Sequence, residues 1–509
     1  EKYKNLFYYF DGLLNTVISQ GFHPAGIVAS PISLPDNYGV FFDKDNKVIL
    51  DIDMEEVHEC GLVKYDILGL KNVGIIQDTY NMLGKPYPKS YQIDWEDQNV
   101  WRDIKTSPVG IFQFESSFAY NSMKTFNVKS IDDLTLVTAC IRPSGTSYRD
   151  EVFAHHRHKN PSQLIDNVLA NSYGYLVYQE QTIAFLQQAC GLSGGEADNV
   201  RRAIGRKQKD RLEAAMPQIL EGYCSKSTKP REEAEKEVKE FLQVIEDSAS
   251  YQFGFNHAIA YSMIGYVCAY LRYYYPVQFI TAFLNSAANE DDIKNGTELA
   301  KIKNVKIISP KFRHSTNIYS CDDTTIYKGT SSIKGLSKTA GDKLYSLRDK
   351  QYHTFLDLLI DCKENGIGLA DITTLVKLDY FSEFGSIGKL LKYIDAYIEL
   401  YGKKMIKKDK QYSVKTMFLK MFCEKETEKQ FSGFDSYKCL TELWKKAEDT
   451  DISIKEKVKY QLQYFGYIDL IDNTVSESLW IVVSINERGK NRYINLYNLN
   501  SGEMVLAKI

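Results

Sequence analysis

The periodicity of the apolar residues changes twice along this chain, and no single compact core accommodates all three patterns. Up to about residue 105, short apolar runs such as "VILDID" (48–53) and "GLVKYDI" (61–67) predict strands that alternate with helices. Between 111 and 287 the apolar residues mostly follow the helical period. The tail, 476–509, alternates apolar and polar residues between turn signals, which predicts a small antiparallel sheet. Because 509 residues also exceed one core, we predict an α+β fold of two to four domains.

Net charge excludes few functions here. The formal charge is −3, but a nucleic-acid binder needs a local basic face rather than a basic average. Two stretches provide one, "RRAIGRKQKDR" (201–211) and "KIKNVKIISPKFRH" (301–314). A solvated surface is the plainer interpretation of each stretch, and composition alone leaves both interpretations open.

Cysteine usage and hydropathy point to the cytoplasm. The nine cysteines stand singly, without a C-x-x-C pair, which disfavours a zinc module and fits reduced thiols. No signal-peptide pattern is found. The longest apolar stretch, 258–271, is shorter than the roughly 20 residues that span a bilayer and predicts a buried helix. We therefore expect a cytoplasmic protein without a membrane contact.

The stretch "GLVKYDILGL" places two opposite charges on one predicted strand. Side chains two apart share a face, so Val63, Tyr65 and Ile67 are expected to face a core. Lys64 and Asp66 then lie side by side on the other face. The plainer interpretation is an exposed ion pair that contributes little to stability. The functional interpretation is a carboxylate that binds Mg²⁺ beside an ammonium group that meets phosphate oxygens.

The stretch "GLSGGEADNVRRAIGRK" predicts a basic helix. Ser193 is a plausible N-cap, with Glu196 three residues later. Arg201 and Arg202 follow on the same helix, and Asp198 could pair with Arg202 at i, i+4. That pairing is the plainer interpretation; the alternative is a helix that holds a triphosphate through bidentate arginine contacts.

Histidines offer two further candidate sites. His257 begins an apolar helix, where a lone histidine is more often a hydrogen-bonded cap, although a helix N-terminus also suits an anion. The cluster "FAHHRHKN" has three histidines, but no carboxylate or cysteine stands at ligand spacing, so we do not predict a metal there.

Taken in chain order, seven stretches resemble one known family. They are "HPAGIVASP", "CGLVKYDILGLKNV", "GIFQFESS", "RPSG", "YGYLVYQEQ", "GGEADNVRRAIGRK" and "FGFNHAIAYSMIGY". In this order they resemble the bacterial replicative DNA polymerase III alpha subunits, the C-family DNA polymerases, over roughly residues 8–290. Residues 300–385 resemble the family's tandem helix-hairpin-helix region, and the tail resembles the first strands of its OB-fold. The divergent composition points to a phage-encoded or distant member.

The resemblance implies an α+β multidomain architecture. It would comprise a partial polymerase palm with a mixed β-sheet, large and mostly helical fingers, a tandem helix-hairpin-helix region and a small C-terminal antiparallel OB-like sheet. The implied segments are the C-terminal part of the palm (1–105), the fingers (106–290), a little-finger and helix-hairpin-helix duplex-binding region (291–400), a helical connector (401–475) and a partial OB-like domain (476–509).

The resemblance also implies roles for individual residues. Asp66 matches the third of three palm aspartates that hold two Mg²⁺ ions, and Lys64 matches the neighbouring catalytic lysine at the triphosphate. The implied nucleotide-binding residues of the fingers are Arg201, Arg202, Tyr251 and His257. The implied DNA-binding residues are Gln179, Glu180, Gln181, Arg206, Lys207, Lys334 and Gly335.

The chain departs from the family pattern in several places. Phe255 stands where the family usually has a lysine, so one phosphate contact is in doubt, and "RPSG" replaces the common "RPGP". The family's other two palm aspartates form an Asp-x-Asp pair upstream of "HPAG", where this sequence has none. "DID" (51–53) lies after that motif, and we interpret it as a surface strand or turn. Both ends of the sequence look truncated.

The function implied is template-directed DNA synthesis with Mg²⁺, completed by an upstream polymerase half in the same or a separate chain. The implied partners are primer–template DNA, deoxynucleoside triphosphates, a sliding clamp and other replisome subunits. One alternative is a non-catalytic DNA-binding replication module or a split-polymerase subunit. Another is an unrelated phosphate-handling enzyme that matches by chance.

Overall fold

Two compact units make up the chain, Glu1–Gly74 and Ile75–Ile509. The structure is a computed structural model that describes residues 4–14, 16–17, 21–23, 25–142, 147–249, 252–488 and 491–508. Helices and several small sheets together confirm the predicted α+β class.

The first unit is built on two antiparallel strand pairs. Its elements are helix α1 (Lys4–Leu13), strand β1 (Gly26–Ala29), helix α2 (Leu34–Asn37), strands β2 (Val40–Phe42) and β3 (Val48–Leu50), helix α3 (Met54–Glu59) and strand β4 (Val63–Asp66). Strand β1 pairs with β4, and β2 pairs with β3. All described strands of residues 1–105 are thus antiparallel, and the mixed sheet expected for the palm is not found among them.

The apolar face of β4 is exposed, contrary to the expectation that it enters a core. Val63, Tyr65 and Ile67 are 50%, 56% and 66% exposed, and the cross-strand partner of Tyr65, Ile27, is 54% exposed. The side chain of Lys64 on the opposite face is only 13% exposed. A sheet of two strands is too narrow to have both faces covered by the rest of the unit. Here the face that carries Lys64 is the one shielded from solvent, and the apolar face is left exposed.

A large helical region follows, and its first helix begins four residues before the boundary of the second unit. Its helices are α4 (Lys71–Met82), α5 (Gln98–Asp103), α6 (Ser117–Phe126), α7 (Ile131–Cys140), α8 (Arg149–Phe153), α9 (Gln163–Val168), α10 (Gln179–Gln188), α11 (Gly194–Gly205), α12 (Lys209–Lys226), α13 (Arg231–Ser248), α14 (Phe255–Tyr274), α15 (Pro276–Asn285) and α16 (Glu290–Ile302). The apolar stretch 258–271 lies within α14 and packs into the core, as predicted. No helix in the described ranges is long and apolar enough to cross a bilayer.

One buried charge network fixes α14 to the segment after α5. The guanidinium of Arg272 is fully buried and donates to the Asp103 carboxylate at 3.0 Å. It also donates to the backbone carbonyls of Asp103, Ser107 and Val109. Lys303 forms a second ion pair with Asp103. Four hydrogen bonds from the guanidinium are therefore directed at the segment Asp103–Val109.

The remainder of the second unit joins short helices to small sheets. Its elements are strands β5 (Lys306–Ile308), β6 (Ser320–Cys321) and β7 (Thr325–Tyr327), helices α17 (Ala340–Ser346), α18 (Phe355–Glu364), α19 (Leu369–Lys377) and α20 (Ile387–Leu400), strand β8 (Met405–Lys407), helix α21 (Thr416–Lys420), strands β9 (Lys425–Glu426) and β10 (Gln430–Ser432), helices α22 (Ser436–Lys446) and α23 (Ile454–Tyr464), and strands β11 (Trp480–Arg488), β12 (Asn491–Asn498) and β13 (Met504–Lys508).

Two of these regions bear on the predicted domain organisation. The segment expected to be a helical connector, 401–475, contains the three-stranded sheet β8-β10-β9 in addition to helices, so it is helical only in part. In the tail, β11, β12 and β13 form the expected antiparallel sheet. The OB-fold itself stays a prediction.

Candidate functional site

The first group of candidate residues lies on strand β4. The Lys64 ammonium donates to Asp66 Oδ1 at 2.6 Å, which confirms that the two side chains share a face. Asp66 is 48% exposed whereas Lys64 is 13% exposed, so the carboxylate is open to solvent and the lysine is packed. This hydrogen bond is the first cause of a lowered pKa of Asp66, with the charges of Lys64 and His23 adding to it and partial desolvation opposing it. Asp66 is therefore ionised at neutral pH.

Glycine at position 26 makes this packing possible. In the antiparallel register Gly26 lies opposite Asp66, and Val28 lies opposite Lys64. A Cβ atom at position 26 would lie 2.8 Å from Lys64 Cε and 3.0 Å from His23 Nδ1. Such distances are below van der Waals contact, so any larger residue would displace both side chains.

His23 is a member of this group that the sequence-based assignment missed. Its Nδ1 accepts a hydrogen bond from the Ala25 backbone N–H at 3.2 Å and lies 3.8 Å from Asp66 Oδ1. Because Nδ1 accepts, the ring proton of the neutral form resides on Nε2, which can donate to an anion. The signal was present in the sequence, since His23 opens the "HPAGIVASP" motif.

A groove of about 670 Å³ lies beside this strand pair. His23, Gly26 and Lys64 contribute to one part of its lining, and Asp51 and Asp53 contribute to another. Asp53 Oδ1 accepts hydrogen bonds from the backbone N–H groups of Glu55 and Glu56 and so caps α3. Of the two forms predicted for "DID", a surface strand or a turn, the structure has a turn that leads into this helix.

The described residues fit Mg²⁺ only as a partial site. Asp66 is a suitable oxygen ligand, and both of its described side-chain contacts fall on Oδ1. Within the described ranges, however, no group of three or more His, Cys, Asp or Glu side chains could hold a metal ion. Asp66 alone does not make a metal site.

The second group lies in the second unit, where α10, α11 and the start of α14 meet. The Gln179 backbone N–H donates to the carbonyl of Phe253 at 3.0 Å. Arg201 on α11 donates to Gln179 Oε1 at 3.2 Å. Glu180 Oε2 accepts the backbone N–H of Phe255, the first residue of α14, at 2.8 Å. These three hydrogen bonds thus connect the predicted residues Gln179, Glu180 and Arg201 with one another or with the segment that leads into α14.

Arg201 and Arg202 share one carboxylate. Asp198 accepts Arg201 at 2.8 Å on Oδ1 and Arg202 at 2.8 Å on Oδ2. The Arg201 hydrogen bond is the first cause of a lowered pKa of Asp198. The plainer interpretation, pairing with Asp198, is therefore realised, yet two guanidinium groups against one carboxylate leave a net positive charge. The predicted cap of the same helix, Ser193 with Glu196, is confirmed as a capping box.

The ring contacts of His257 are with aromatic side chains. Its ring centroid lies 4.1 Å from that of Tyr261 and 5.2 Å from that of Phe253. The Cζ atom of Arg142, the first residue of "RPSG", lies 4.2 Å from the centroid of the Phe253 ring. Burial and, second, the charge of Arg142 lower the pKa of His257. The neutral imidazole is accordingly favoured at pH 7.

The remaining predicted residues differ in their surroundings. Gln181 is buried, accepts the backbone N–H groups of Val177 and Tyr178, and donates to Ser172, so holding the chain suits it better than a DNA contact. Phe255, in place of the family's lysine, packs edge-on against Tyr178 at 5.2 Å. Arg206 and Lys207 are exposed at the end of α11. Tyr251 and "PSG" (143–145) lie outside the described residues.

Lys334 and Gly335 lie in an exposed hairpin before α17. The Lys334 backbone N–H donates to the Tyr464 carbonyl at 2.8 Å, which ties the hairpin to the end of α23. Gly335 has φ +80°, a left-handed conformation that favours glycine, and open space where a Cβ would lie. The Lys334 side chain is exposed, as a contact with a DNA backbone would require.

Three family models match consecutive parts of the chain. The bacterial DNA polymerase III alpha NTPase domain matches residues 1–69, and the bacterial DNA polymerase III alpha subunit finger domain matches residues 72–227. A helix-hairpin-helix motif matches residues 304–389. The junction of the first two matches falls close to Gly74, where the two structural units divide.

Full-length relatives from the same family are similar to this chain over a longer stretch. DNA polymerase III subunit alpha of Borreliella burgdorferi is 30% identical over 396 residues, which is 74% of this chain and 34% of that protein. The subunits of Bacillus subtilis and Ureaplasma parvum are both 28% identical, over 74% and 75% of this chain and 34% and 40% of their own lengths. The chain thus spans between a third and two fifths of these relatives.

Proposed function

Because the chain belongs to the family of bacterial DNA polymerase III alpha subunits, we propose that it forms part of a replicative DNA polymerase that transfers deoxynucleotides to a primer 3′-hydroxyl. The observation that carries this proposal is the Lys64–Asp66 pair at 2.6 Å on the polar face of β4, with His23 beside it. A carboxylate, an ammonium group and an imidazole donor on one face combine the groups that bind a cation and a triphosphate.

Asp66 is the proposed metal ligand of this chain. Bound Mg²⁺ would neutralise charge on the transferred phosphoryl group. Lys64 keeps Asp66 ionised and oriented through its hydrogen bond. The Lys64 ammonium and the His23 Nε2–H donate hydrogen bonds toward phosphate oxygens. The further ligands would come from a palm segment that supplies the Asp-x-Asp pair, in the same or a separate chain.

The helical group of the second unit is proposed to bind the incoming nucleotide. Arg201 and Arg202 offer bidentate donors for phosphate oxygens, and a triphosphate would compete with Asp198 for them. His257, neutral in the free protein, would donate one hydrogen bond and gain a proton as negative charge approaches. Tyr251, which lies outside the described residues, is likewise proposed to contact the nucleotide.

Binding of primer–template DNA is proposed for the rest of the second unit. The backbone N–H of Gly335 and the exposed side chain of Lys334 suit contacts with phosphates that do not depend on sequence. Gln179, Glu180, Arg206 and Lys207 would lie near the primer–template junction. An OB-like tail would suit single-stranded template, and a sliding clamp and other replisome subunits are the proposed protein partners.

The test is primer extension by the chain completed with an alpha-subunit palm segment, comparing wild type with Asp66→Asn. We expect Asp66→Asn to lower synthesis by at least a thousandfold while DNA binding persists, since it removes a metal ligand and keeps the shape. Asp45→Asn is the matched control, because Asp45 is an exposed turn residue of the same unit.

The outcomes separate the proposal from its alternative. Retention of synthesis in Asp66→Asn would support a non-catalytic DNA-binding module instead. Extension by the chain without the added segment would contradict the proposal that further metal ligands must be supplied.

A further inference from the structure

Residues 401–434 form a small lysine-rich segment between α20 and α22, here called the basic module. It contains nine lysines and four acidic residues, whereas the whole chain has a net charge of −3. Its fold is the three-stranded sheet β8-β10-β9 with the short helix α21. The helix-hairpin-helix match ends at residue 389, before the module begins.

The module is anchored firmly to the molecule. Ile406, Leu419, Phe431 and Phe434 are all buried and belong to the same apolar core as helices α18 to α20. The lysines are therefore displayed from a fixed backbone rather than from a loose tail, which reduces the entropy lost when they bind a ligand.

Strand alternation collects basic and hydrogen-bonding side chains on the outer face of this sheet. Ile406 and its cross-strand partner Phe431 point into the core, so the residues on either side of them point outward. Those outer residues are Met405 and Lys407 on β8, Lys425 on β9, and Gln430 and Ser432 on β10. None of these five side chains is acidic.

Like charges also converge beside β8. The ammonium groups of Lys403 and Lys410 both lie 5.4 Å from the centre of the Tyr412 ring. The nearby carboxylate of Glu399 is engaged by the N–H and hydroxyl of Ser413, each at 2.7 Å. Within the described part of the chain, no carboxylate lies at ion-pair distance from Lys403 or Lys410. The Glu399 carboxylate still attracts both ammonium groups, but two cations against one anion leave a net positive charge that favours a further anion.

We propose that the basic module is a contact surface for the DNA backbone. DNA carries one charge per roughly 1.7 Å of helix axis, so it can neutralise several lysines of a rigid face at once. Lysine, serine and glutamine side chains are among those that contact phosphate oxygens. The inference rests on the proposed function for the identity of the polyanion, and it adds a surface outside the helix-hairpin-helix region.

The test measures how duplex DNA affinity depends on salt in the full chain. Lys407→Gln/Lys425→Gln removes two outward lysines, and Lys236→Gln/Lys239→Gln is the matched control, which removes two exposed lysines of α13 and the same charge. We expect the first variant to bind a fluorescent primer–template about three- to tenfold more weakly at physiological salt, with a salt slope shallower by about two. Thermal melting verifies that both variants are folded.

Two results would overturn the inference alone: unchanged affinity and slope in Lys407→Gln/Lys425→Gln, or an equal loss in the control, which would indicate net charge rather than a local surface. Absence of DNA binding by the wild-type chain at low salt would overturn the inference and count against the proposed function as well.

Discussion

At the scale of single residues, the absence of a side chain at Gly26 determines the geometry of the strand site. Gly26→Ala places a methyl group where Lys64 and His23 now pack, so we expect Lys64 to swing away from Asp66. The Asp66 pKa should then rise from its lowered value toward that of an ordinary aspartate, because its main hydrogen bond is lost. NMR titration of the carboxylate measures this shift.

The control for that titration is Gly12→Ala. No atom lies within 4 Å of a Cβ at Gly12, so the Asp66 pKa should stay low in this variant. An Asp66 pKa that stays equally low in Gly26→Ala would show that Lys64 keeps its place despite the added methyl group.

His257 gives a second prediction, on the pH dependence of stability. Its pKa in the folded chain is lowered, so the unfolded chain binds the proton more tightly. The neutral ring's contribution to stability is therefore complete above the ordinary histidine pKa of about 6.5 and decreases as the pH falls below it. Urea unfolding at pH 7.5 and 5.5 should show a smaller loss of stability in His257→Gln than in wild type. An identical loss in both would contradict the prediction.

Residue patterns in the sequence predicted part of this detail. Period-two alternation placed Lys64 and Asp66 together, and the i, i+4 spacing of Asp198 and Arg202 predicted their ion pair. Neither rule could find His23 or Arg142, because their contacts depend on how distant segments meet. Period-two alternation also led to the wrong prediction that Val63 faces a core. Alternation identifies the two faces of a strand but not which of them is covered.

At the scale of secondary-structure elements, the Arg272 network joins α14 to the turn after α5. Arg272→Met keeps much of the apolar length but leaves Asp103 and two loop carbonyls without their buried donor. We expect a loss of about 3–5 kcal/mol in the free energy of unfolding, as for other broken buried ion pairs. Chemical denaturation measures it.

Arg102→Ala is the comparison for this experiment. Arg102 is exposed on α5, and among the described residues its side chain donates to Gln98 and Asn99 of the same helix, so its removal should change stability by less than about 0.5 kcal/mol. A similar small effect for Arg272→Met would mean that the turn finds other partners.

Long elements with clear caps were predicted more successfully than short ones. The capping box at Ser193 and the apolar run of α14 each carry a local physical signal. Strands β8, β9 and β10 have two or three residues each, and β8 and β9 contain lysines, so the alternation of apolar and polar residues is too brief to detect. They form because Ile406 and Phe431 are buried by residues distant in sequence.

At the scale of the whole molecule, the two units differ in how much core they have. Among the described residues of Glu1–Gly74, the buried apolar side chains are Val57 and Leu62 only. The second unit holds four separate apolar clusters. The first unit buries so little apolar surface that the hydrophobic free energy gained does not offset the conformational entropy lost on folding.

We therefore expect a fragment of residues 75–509 to unfold cooperatively on heating and a fragment of residues 1–74 to show no cooperative transition. Circular dichroism melts of the two fragments test this. A sharp transition in the short fragment would contradict the expectation and indicate a core formed by residues outside the described ranges.

Family membership was the most secure prediction at this scale, because seven motifs in one order constrain far more than any residue pair. The order of motifs could not predict local replacements. Phe255 is an example: the structure has an aromatic contact with Tyr178 where the family pattern has a charge.

The sharing of Asp198 by two arginines has a consequence for affinity. Asp198 already lies between these guanidinium groups in the free protein, so a nucleotide bound as proposed would exchange one negative partner for another. The arginines would stay aligned, and only the difference between their triphosphate and carboxylate contacts would contribute to the free energy of binding. Under the proposed function, this exchange would favour weak binding of the nucleotide and rapid release of pyrophosphate, as suits a site that must empty after every added nucleotide.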